Sequence, residues 1–145
     1  MASTHIAHDC LVGDNVIMSN LSTLGGHVKI GNWAILGGGV LVHQFTQIGE
    51  HSLIGGGFRA VQDVPPFILA ANHPLKYKGV NIVGLKRRGF SKQDRDLIKQ
   101  AYKIFFRSGE NRKKSMERIK SELPKTKVIQ LYLHPCILED GLRLI

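Results

Sequence analysis

Residues 6–54 have the sequence IAHDCLVGDNVIMSNLSTLGGHVKIGNWAILGGGVLVHQFTQIGEHSLI, in which an aliphatic side chain recurs at every sixth position. A helix needs apolar spacings of three and four, and an ordinary strand needs alternation, so neither explains a strict period of six. Hexapeptide periodicity is typical of parallel β-helices, in which each repeat forms a short strand and a corner. The ten repeats begin at Ile6, Val12, Met18, Leu24, Ile30, Leu36, Val42, Ile48, Ile54 and Ala60.

Composition divides the 145-residue chain into two regions. Residues 1–64 contain 11 of the 16 glycines and have a net charge of −2, from two basic and four acidic residues. Residues 65–145 contain 18 basic and seven acidic residues, a net charge of +11. We therefore predict β-helix coils over residues 1–64, followed by an ordered connecting loop over residues 65–90. The positive charge favours an anionic partner, such as nucleic acid, phosphate groups, a membrane surface or an acidic protein.

A small α-helical domain is predicted over residues 91–145. Ser91, with an acidic residue three positions later, is a candidate helix N-cap, and Asn111 is a second one. Apolar residues then follow helical spacing until Ser108 and Pro124 end the first two helices, and a third helix is indicated near the C-terminus. The apolar positions are Leu97, Ile98, Ala101, Tyr102, Phe105, Met116, Ile119, Leu123, Val128, Leu131, Tyr132 and Leu138.

Several features bear on the compartment. The sequence has no run of 18 apolar residues and no basic n-region followed by an apolar stretch, so we expect neither a membrane span nor a secretory signal. Cys10 and Cys136 form no C-x-x-C motif, which favours a reducing compartment and argues against a disulfide framework or a cysteine metal site. A cytoplasmic protein is the expectation.

Five segments show a specific resemblance to a known family. They are HIAHDC (residues 5–10), LGGHV (24–28), VHQF (42–45), QDVPP (62–66) and GVNIVGLKRRGF (79–90). With them the chain resembles the acyl-carrier-protein:UDP-N-acetylglucosamine O-acyltransferases, hexapeptide-repeat enzymes that begin lipid A synthesis in Gram-negative bacteria. The resemblance implies a left-handed parallel β-helix with three repeats per triangular coil, hence about three coils here. It also implies a cytoplasmic homotrimer with active sites between neighbouring subunits.

The chain departs from this family in two ways. Family members are much longer, and the chain resembles their C-terminal part, without the N-terminal coils that help to hold the sugar nucleotide. Val83 stands where some family members have Glu between Ile and Gly.

Three histidines are expected along one edge of the coil. With 18 residues per coil, His8, His27 and His43 lie almost one above another, since they are separated by 19 and 16 positions. Two chemistries suit such a column: zinc held by histidines across a subunit interface, as in β-helical carbonic anhydrases, and general-base catalysis of acyl transfer. Stacked side chains point roughly parallel and a metal needs converging ligands, so the base is favoured and no metal is expected.

The resemblance implies particular roles for individual residues. His8 is the general base that takes the proton from the sugar 3-hydroxyl, Asp9 assists it, and Gly26 offers its backbone N–H to the developing oxyanion. Contact between His8 and Asp9 requires a corner, because consecutive side chains on a strand face opposite ways. An alternative for Gly26 is a corner that needs positive φ, and the two roles are compatible.

Further positions are implied to contact substrates. His5, His27, His43 and Gln44 resemble positions around the sugar and diphosphate, whereas Asn81, Arg87 and Arg88 resemble positions that meet the phosphopantetheine arm or phosphates. Gly56 resembles the position that limits acyl-chain length, and the alternative there is tight packing of glycines.

The implied reaction moves a 3-hydroxyacyl chain from acyl carrier protein, on its phosphopantetheine arm, to the 3-hydroxyl of UDP-N-acetylglucosamine, with no further cofactor. An acidic acyl carrier protein suits the basic region, whereas nucleic acid is disfavoured because no nucleic-acid-binding motif is recognisable. N-acylation of an amino sugar nucleotide and a non-catalytic β-helical trimer are the alternatives.

Overall fold

The computed structural model describes residues 1–107 and 109–132. Most strands are two residues long, and the helices follow them in the chain. The strands are β1 (His5–Ile6), β2 (Leu11–Val12), β3 (Ile17–Met18), β4 (Thr23–Leu24), β5 (Lys29–Ile30), β6 (Ile35–Leu36), β7 (Leu41–Val42), β8 (Gln47–Ile48), β9 (Leu53–Ile54), β10 (Arg59–Ala60), β11 (Ile68–Ala71) and β12 (Lys76–Val80). The helices are α1 (Ile82–Arg87), α2 (Lys92–Arg107), α3 (Arg112–Glu122) and α4 (Lys127–Tyr132).

The strands form three sheets that run along the faces of a triangular coil. Sheet A has the order β1-β4-β7-β10, sheet B has β2-β5-β8, and sheet C has β3-β6-β9-β11-β12. Within the coil the pairs are parallel, and His5 lies opposite Thr23, an offset of 18 residues. This architecture confirms the predicted left-handed parallel β-helix with three repeats per coil.

The coil has about four turns rather than the predicted three. Residues 65–90, predicted to be a connecting loop, contain β11, β12 and α1. Val64 forms a parallel bridge with Ile48, and β11 pairs in parallel with β9, so these residues complete a fourth turn. The hexapeptide pattern stops at Ala60 because the fourth turn has a different corner spacing, although Val64, Ile68 and Ala70 are as buried as earlier core residues.

The repeated aliphatic side chains fill the interior of the coil. From Leu24 to Ile54 every one of them is nearly inaccessible to solvent. In the first turn, by contrast, Ile6 and Val12 are 51% and 41% exposed, because β1 and β2 pair on one side only. The burial of successive layers is the main source of stability in this part of the chain.

The corners have a backbone feature that the sequence analysis did not anticipate. A residue with positive φ recurs at every sixth position from Ser3 to Gly57, and most of these residues are not glycine. This conformation costs a non-glycine residue about 1–2 kcal/mol, which packing of the coil must offset. The residues form a column along each edge of the prism: the A–B edge has Asp9, His27 and Phe45, the B–C edge has Asn15, Trp33 and His51, and the C–A edge has Leu21, Gly39 and Gly57.

The helices pack against the coil and share its core. Both predicted N-caps are confirmed: the Ser91 hydroxyl accepts from the Asp94 N–H at 3.0 Å, and the Asn111 side chain accepts from the Lys114 N–H at 2.9 Å. The buried Tyr102 hydroxyl on α2 donates to the Pro66 carbonyl and ties the helices to the fourth turn.

The helical region contains one helix that was predicted from the sequence and one that was not. The third predicted helix corresponds to α4, whereas α1 was not predicted. Ser108, Cys136 and Leu138 lie outside the described residues. Within residues 1–107 and 109–132, no helix has both the length and the hydropathy that crossing a bilayer requires.

Candidate active site

His8 and Asp9 form a hydrogen-bonded pair on the A–B edge. The His8 Nδ1 and the Asp9 Oδ2 are 2.9 Å apart, and both side chains are well exposed. The positive φ of Asp9, +58°, turns the chain at this point, so two consecutive side chains lie on the same side. The corner that this contact requires is therefore present.

Asp9 determines which nitrogen of His8 is available as a base. The hydrogen bond to His8, together with the charge of nearby His27, lowers the pKa of the Asp9 carboxyl below its usual value. An ionised carboxylate can only accept hydrogen bonds, so the proton of a neutral His8 ring lies on Nδ1. The Nε2 of His8 is left with its lone pair free, which is the state that a general base needs.

Gly26 lies directly against the His8 ring. A Cβ atom on Gly26 would lie 2.7 Å from both Cε1 and Nε2 of His8, closer than real side chains approach. The φ of Gly26 is not positive, so the proposed corner conformation is not the reason for glycine here. Within the described ranges its N–H has no backbone acceptor, whereas its carbonyl accepts from Phe45 at 3.0 Å. Gly26 is itself buried, and the absence of a side chain lets the His8 imidazole lie directly over its backbone.

His27 completes a tight cluster with the pair. Its ring lies 5.1 Å from the His8 ring in an edge-to-face contact, and its Nε2 is 3.8 Å from the Asp9 Oδ2. One ligand atom from each of His8, Asp9 and His27 lies within 4.8 Å of the others. These side chains therefore converge more than the parallel stacking predicted from the sequence, although His43 is not a member of the cluster.

Three other predicted contact residues line the same edge or the strand before it. His5 is exposed on β1, and His43 and Gln44 are exposed two coils further along, directly after β7. The His43 Nδ1 is 3.0 Å from the Gln44 carbonyl oxygen. His5, His8, His27, His43 and Gln44 thus form one polar surface, which we call the base cluster.

The remaining predicted contact residues lie on a different edge. Arg88 follows α1 and lies beside the B–C edge, where its guanidinium is 5.5 Å from the centre of the Trp33 ring. Arg87 is exposed next to it, and both border a cavity of about 570 Å³ that Lys127 and Asp94 also line. Sheet B separates this phosphate cluster, Arg87 and Arg88, from the base cluster, so one chain does not bring the two together.

Asn81 has a structural task in this region. Its side-chain oxygen accepts from the Gly84 N–H at 3.2 Å and caps α1, and its amide nitrogen donates to the His51 carbonyl at 3.1 Å. The side chain is only 7% exposed. Asn81 therefore anchors the helix that precedes Arg88, a task that the sequence analysis did not assign to it.

Two residues near the phosphate cluster, Trp33 and His51, were not predicted from the sequence to belong to a functional site. His51 is 7% exposed and stacks between Trp33 and Phe67 on the B–C edge. Burial, and then the charge of Arg88, lowers the pKa of His51 to about 4. The separation of 18 residues between Trp33 and His51 is the signal that would have revealed this column.

Gly56 lies at the C–A edge, across sheet A from the base cluster. It is exposed, and the nearest atoms to a Cβ there would be backbone atoms of Gly38 and Gly37, at 3.2 to 4.0 Å. A Cβ on Gly37, by contrast, would lie 2.5 Å from the Gly56 nitrogen. Packing therefore demands glycine at Gly37, whereas a side chain at Gly56 would project onto the outer surface.

Comparison with known proteins identifies the family. A family model described as UDP-N-acetylglucosamine O-acyltransferase, domain 2, matches residues 63–136. An acyl-[acyl-carrier-protein]–UDP-N-acetylglucosamine O-acyltransferase of Aliivibrio salmonicida is 48% identical over 90% of this chain and 50% of its own length. The enzyme of the same name from Thiobacillus denitrificans is 43% identical over 92% of this chain and 52% of its own.

Solved structures agree with these sequence matches. The UDP-N-acetylglucosamine O-acyltransferase of Moraxella catarrhalis superposes with a TM-score of 0.92 at 37% identity, over 98% of this chain and 55% of that one. The Arabidopsis UDP-N-acetylglucosamine acyltransferase superposes with a TM-score of 0.89 at 32% identity, over 99% of this chain and 52% of that one. The chain spans about half the length of the relatives it matches. On these matches and its β-helical fold, the chain belongs to the UDP-N-acetylglucosamine O-acyltransferase family.

Proposed function

We propose that the protein transfers a 3-hydroxyacyl chain from acyl carrier protein to the 3-hydroxyl of UDP-N-acetylglucosamine, the first step of lipid A biosynthesis. The observation that supports it most strongly is the arrangement of His8, Asp9 and Gly26. A base nitrogen oriented by a carboxylate lies against Gly26, whose N–H has no backbone acceptor within the described residues, and acyl transfer needs both a base and a donor. The names of the relatives favour O-acylation over N-acylation.

The chemistry follows from these three residues. The His8 Nε2 accepts the proton of the sugar 3-hydroxyl while that oxygen forms a bond to the thioester carbonyl carbon. The negative charge that develops on the carbonyl oxygen is stabilised by the Gly26 N–H, and such a donor contributes about 3–4 kcal/mol. Collapse of the intermediate breaks the carbon–sulfur bond, and the thiolate of the phosphopantetheine arm takes the proton from His8. No cofactor enters this sequence.

Each edge of the coil is proposed to contact a different part of the substrates. His5, His27, His43 and Gln44 surround the sugar and its diphosphate, and Asp9 stays ionised to orient His8. Arg87 and Arg88 bind phosphate oxygens through their planar guanidinium groups. Gly56 limits the length of the acyl chain, which crosses sheet A between the base cluster and the C–A edge.

A homotrimer brings the two clusters together. The base cluster lies on the A–B edge and the phosphate cluster on the B–C edge of one chain, so a complete site needs a second copy that supplies the other edge. The base cluster is open to solvent, with 66% of the His8 side chain exposed, and a neighbouring copy would exclude water from it. The proposed compartment is the cytoplasm.

An acyl-transfer assay of the chain tests this proposal. The purified chain is mixed with radiolabelled 3-hydroxyacyl-[acyl carrier protein] and UDP-N-acetylglucosamine, and a labelled sugar nucleotide is expected. Failure to form this product while a full-length relative forms it in the same assay would contradict the proposal for this chain.

A further inference from the structure

His51 is a buried titratable residue to which the proposed reaction assigns no task. Its ring stacks on Trp33 at 6.3 Å and on Phe67 at 5.7 Å, and it makes a perpendicular, edge-to-face contact with Phe90 at 4.9 Å. Three aromatic side chains therefore fix the plane of the imidazole. A polar ring held so tightly among aromatic groups needs a hydrogen-bond partner.

Arg88 is that partner. Its Nη1 lies 3.3 Å from the His51 Nδ1, across 37 residues of sequence. A guanidinium can only donate, so the imidazole must accept through an unprotonated Nδ1. The depressed pKa of His51 agrees with this assignment, because the ring stays uncharged near neutral pH.

We propose that His51 is a positioning residue that holds the Arg88 guanidinium over Trp33, so that its remaining N–H groups face a substrate phosphate. This inference rests on the proposed function. One of the five side-chain donors of Arg88 points to His51. Within residues 1–107 and 109–132 its guanidinium makes no other hydrogen bond, so the other donors can meet a ligand in the cavity that Arg87 and Lys127 border. Asp94 is the acidic residue on the same wall. The phosphate belongs either to the sugar nucleotide or to the phosphopantetheine arm.

Two substitutions of His51 separate its acceptor from its packing. His51→Phe keeps an aromatic ring in the stack and removes the acceptor, and phenylalanine already occupies positive φ in this chain at Phe45 and Phe67. His51→Asn removes the stack but keeps an acceptor oxygen near the position of Nδ1, and asparagine tolerates positive φ. If His51 is a positioning residue, the His51→Phe variant should bind the ligand more weakly than the parent chain. The His51→Asn variant should bind it nearly as well as the parent.

Calorimetric titration with two probes tests the proposal and identifies the ligand. UDP-N-acetylglucosamine and pantetheine 4′-phosphate are titrated separately into the parent chain, both His51 variants, Arg88→Ala, and Arg88→Ala combined with His51→Phe. We expect His51→Phe to weaken binding of one probe about fivefold to tenfold, in line with the loss of one hydrogen bond. His51→Asn should bind within about twofold of the parent.

The combined variant distinguishes positioning from packing. If His51 acts through Arg88, His51→Phe should have no further effect on affinity once Arg88 is alanine. Unchanged affinity in His51→Phe, or an equal loss with and without Arg88, would overturn this inference and leave the proposed function standing. If the parent chain binds neither probe, the proposed function falls and this inference falls with it. The sole tryptophan, Trp33, gives a fluorescence check that the stack is intact in His51→Phe.

Discussion

At the scale of single residues, two histidines are held in different surroundings and hydrogen-bonding arrangements. His8 is exposed, with Nδ1 bound to Asp9 and Nε2 free against Gly26. His51 is buried, with Nδ1 accepting from Arg88. The same side chain is thus suited to take a proton on the A–B edge and to remain without one on the B–C edge.

The base assignment predicts a specific kinetic defect. His8→Ala should lower kcat by about 10²–10⁴-fold with little change in the KM for UDP-N-acetylglucosamine, because a general base acts on the proton that moves in the transition state. His27→Ala and His43→Ala should instead raise KM at least as much as they lower kcat. Steady-state kinetics at saturating acyl carrier protein measure both parameters.

Metal chemistry at the same cluster is the outcome that would contradict this assignment. His8, Asp9 and His27 are close enough to share an ion. Near-normal turnover in His8→Ala would contradict the base assignment. Loss of parental activity on treatment with a chelator, followed by recovery with zinc, would assign His8, Asp9 and His27 to a metal instead.

The buried state of His51 predicts a dependence of stability on pH. Its pKa is about 4 in the folded chain and about 6.5 when unfolded, so between these values only the unfolded chain binds the proton. The free energy of unfolding should therefore fall as the pH is lowered from 6.5 to 4, by about 2–3 kcal/mol in total. Urea denaturation of the parent and of His51→Asn measures this contribution. An equally steep fall in both proteins would refute it.

The sequence could predict only part of this residue-scale detail. The His8–Asp9 pair follows from the resemblance and from a corner, which six-residue periodicity supplies. The contact between His51 and Arg88 could not be foreseen, because it depends on α1 folding back to the B–C edge. The cap that Asn81 makes on α1 and its hydrogen bond to the His51 carbonyl were likewise not foreseen, and its role as a substrate contact stays a prediction.

At the scale of elements, the short strands are held by contacts between successive coils. Each corner packs against the corner 18 or 19 residues later, and several glycines permit that approach. The clearest example is Gly37, whose missing side chain leaves room for the Gly56 backbone nitrogen. The next residue, Gly38, faces outward and would accommodate a methyl group.

Two neighbouring glycines therefore provide a matched pair of substitutions. Gly37→Ala should destabilise the coil by about 1–3 kcal/mol, because its Cβ would lie 2.5 Å from the Gly56 nitrogen and the backbone of the next coil must move. Gly38→Ala should change the free energy of unfolding by less than about 0.5 kcal/mol, since its Cβ meets only the Asn20 carbonyl oxygen, at 3.5 Å. Denaturant unfolding of both variants makes the comparison. Equal stability of the two would contradict this packing.

The six-residue period predicts the strands of the first turns but not those of the fourth turn. Ten repeats in register predict the strands correctly, because each aliphatic side chain faces a core built from the same pattern. The fourth turn lacks that pattern: β11 is set by pairing with β9 and by the antiparallel strand β12, and such distant contacts leave no period in the sequence. The N-caps of α2 and α3 are local signals and were predicted correctly.

At the scale of the whole molecule, the two regions of the chain differ in net charge: residues 1–64 are slightly acidic and residues 65–145 are strongly basic. The excess of basic residues after residue 64 favours an acidic partner, and acyl carrier protein is the proposed one. Arg87 and Arg88 precede α2 in the chain and border the cavity beside the B–C edge.

Binding of acyl carrier protein should depend on salt and on these two arginines. Raising the NaCl concentration from 50 to 300 mM should weaken binding by about tenfold, because screening shortens the range of the attraction. Arg87→Ala with Arg88→Ala should weaken binding and reduce this salt dependence. The control, Lys113→Ala with Lys114→Ala, removes the same charge from the exposed face of α3 and should have less effect. Surface plasmon resonance measures both, and equal effects of the two pairs would assign the arginines to a solvated surface.

The central claim is that one active site uses the base cluster of one copy and the phosphate cluster of another. Mixed oligomers test it most directly. His8→Ala and the Arg87→Ala, Arg88→Ala double variant are co-expressed in equal amounts and assayed at low substrate concentration. We predict recovery to about a quarter of parental activity, the share of neighbouring pairs in which both clusters are intact. Co-expression of His8→Ala with His27→Ala, both altered on the A–B edge, should give no more activity than the two variants measured separately. No recovery in the first mixture would contradict a shared site.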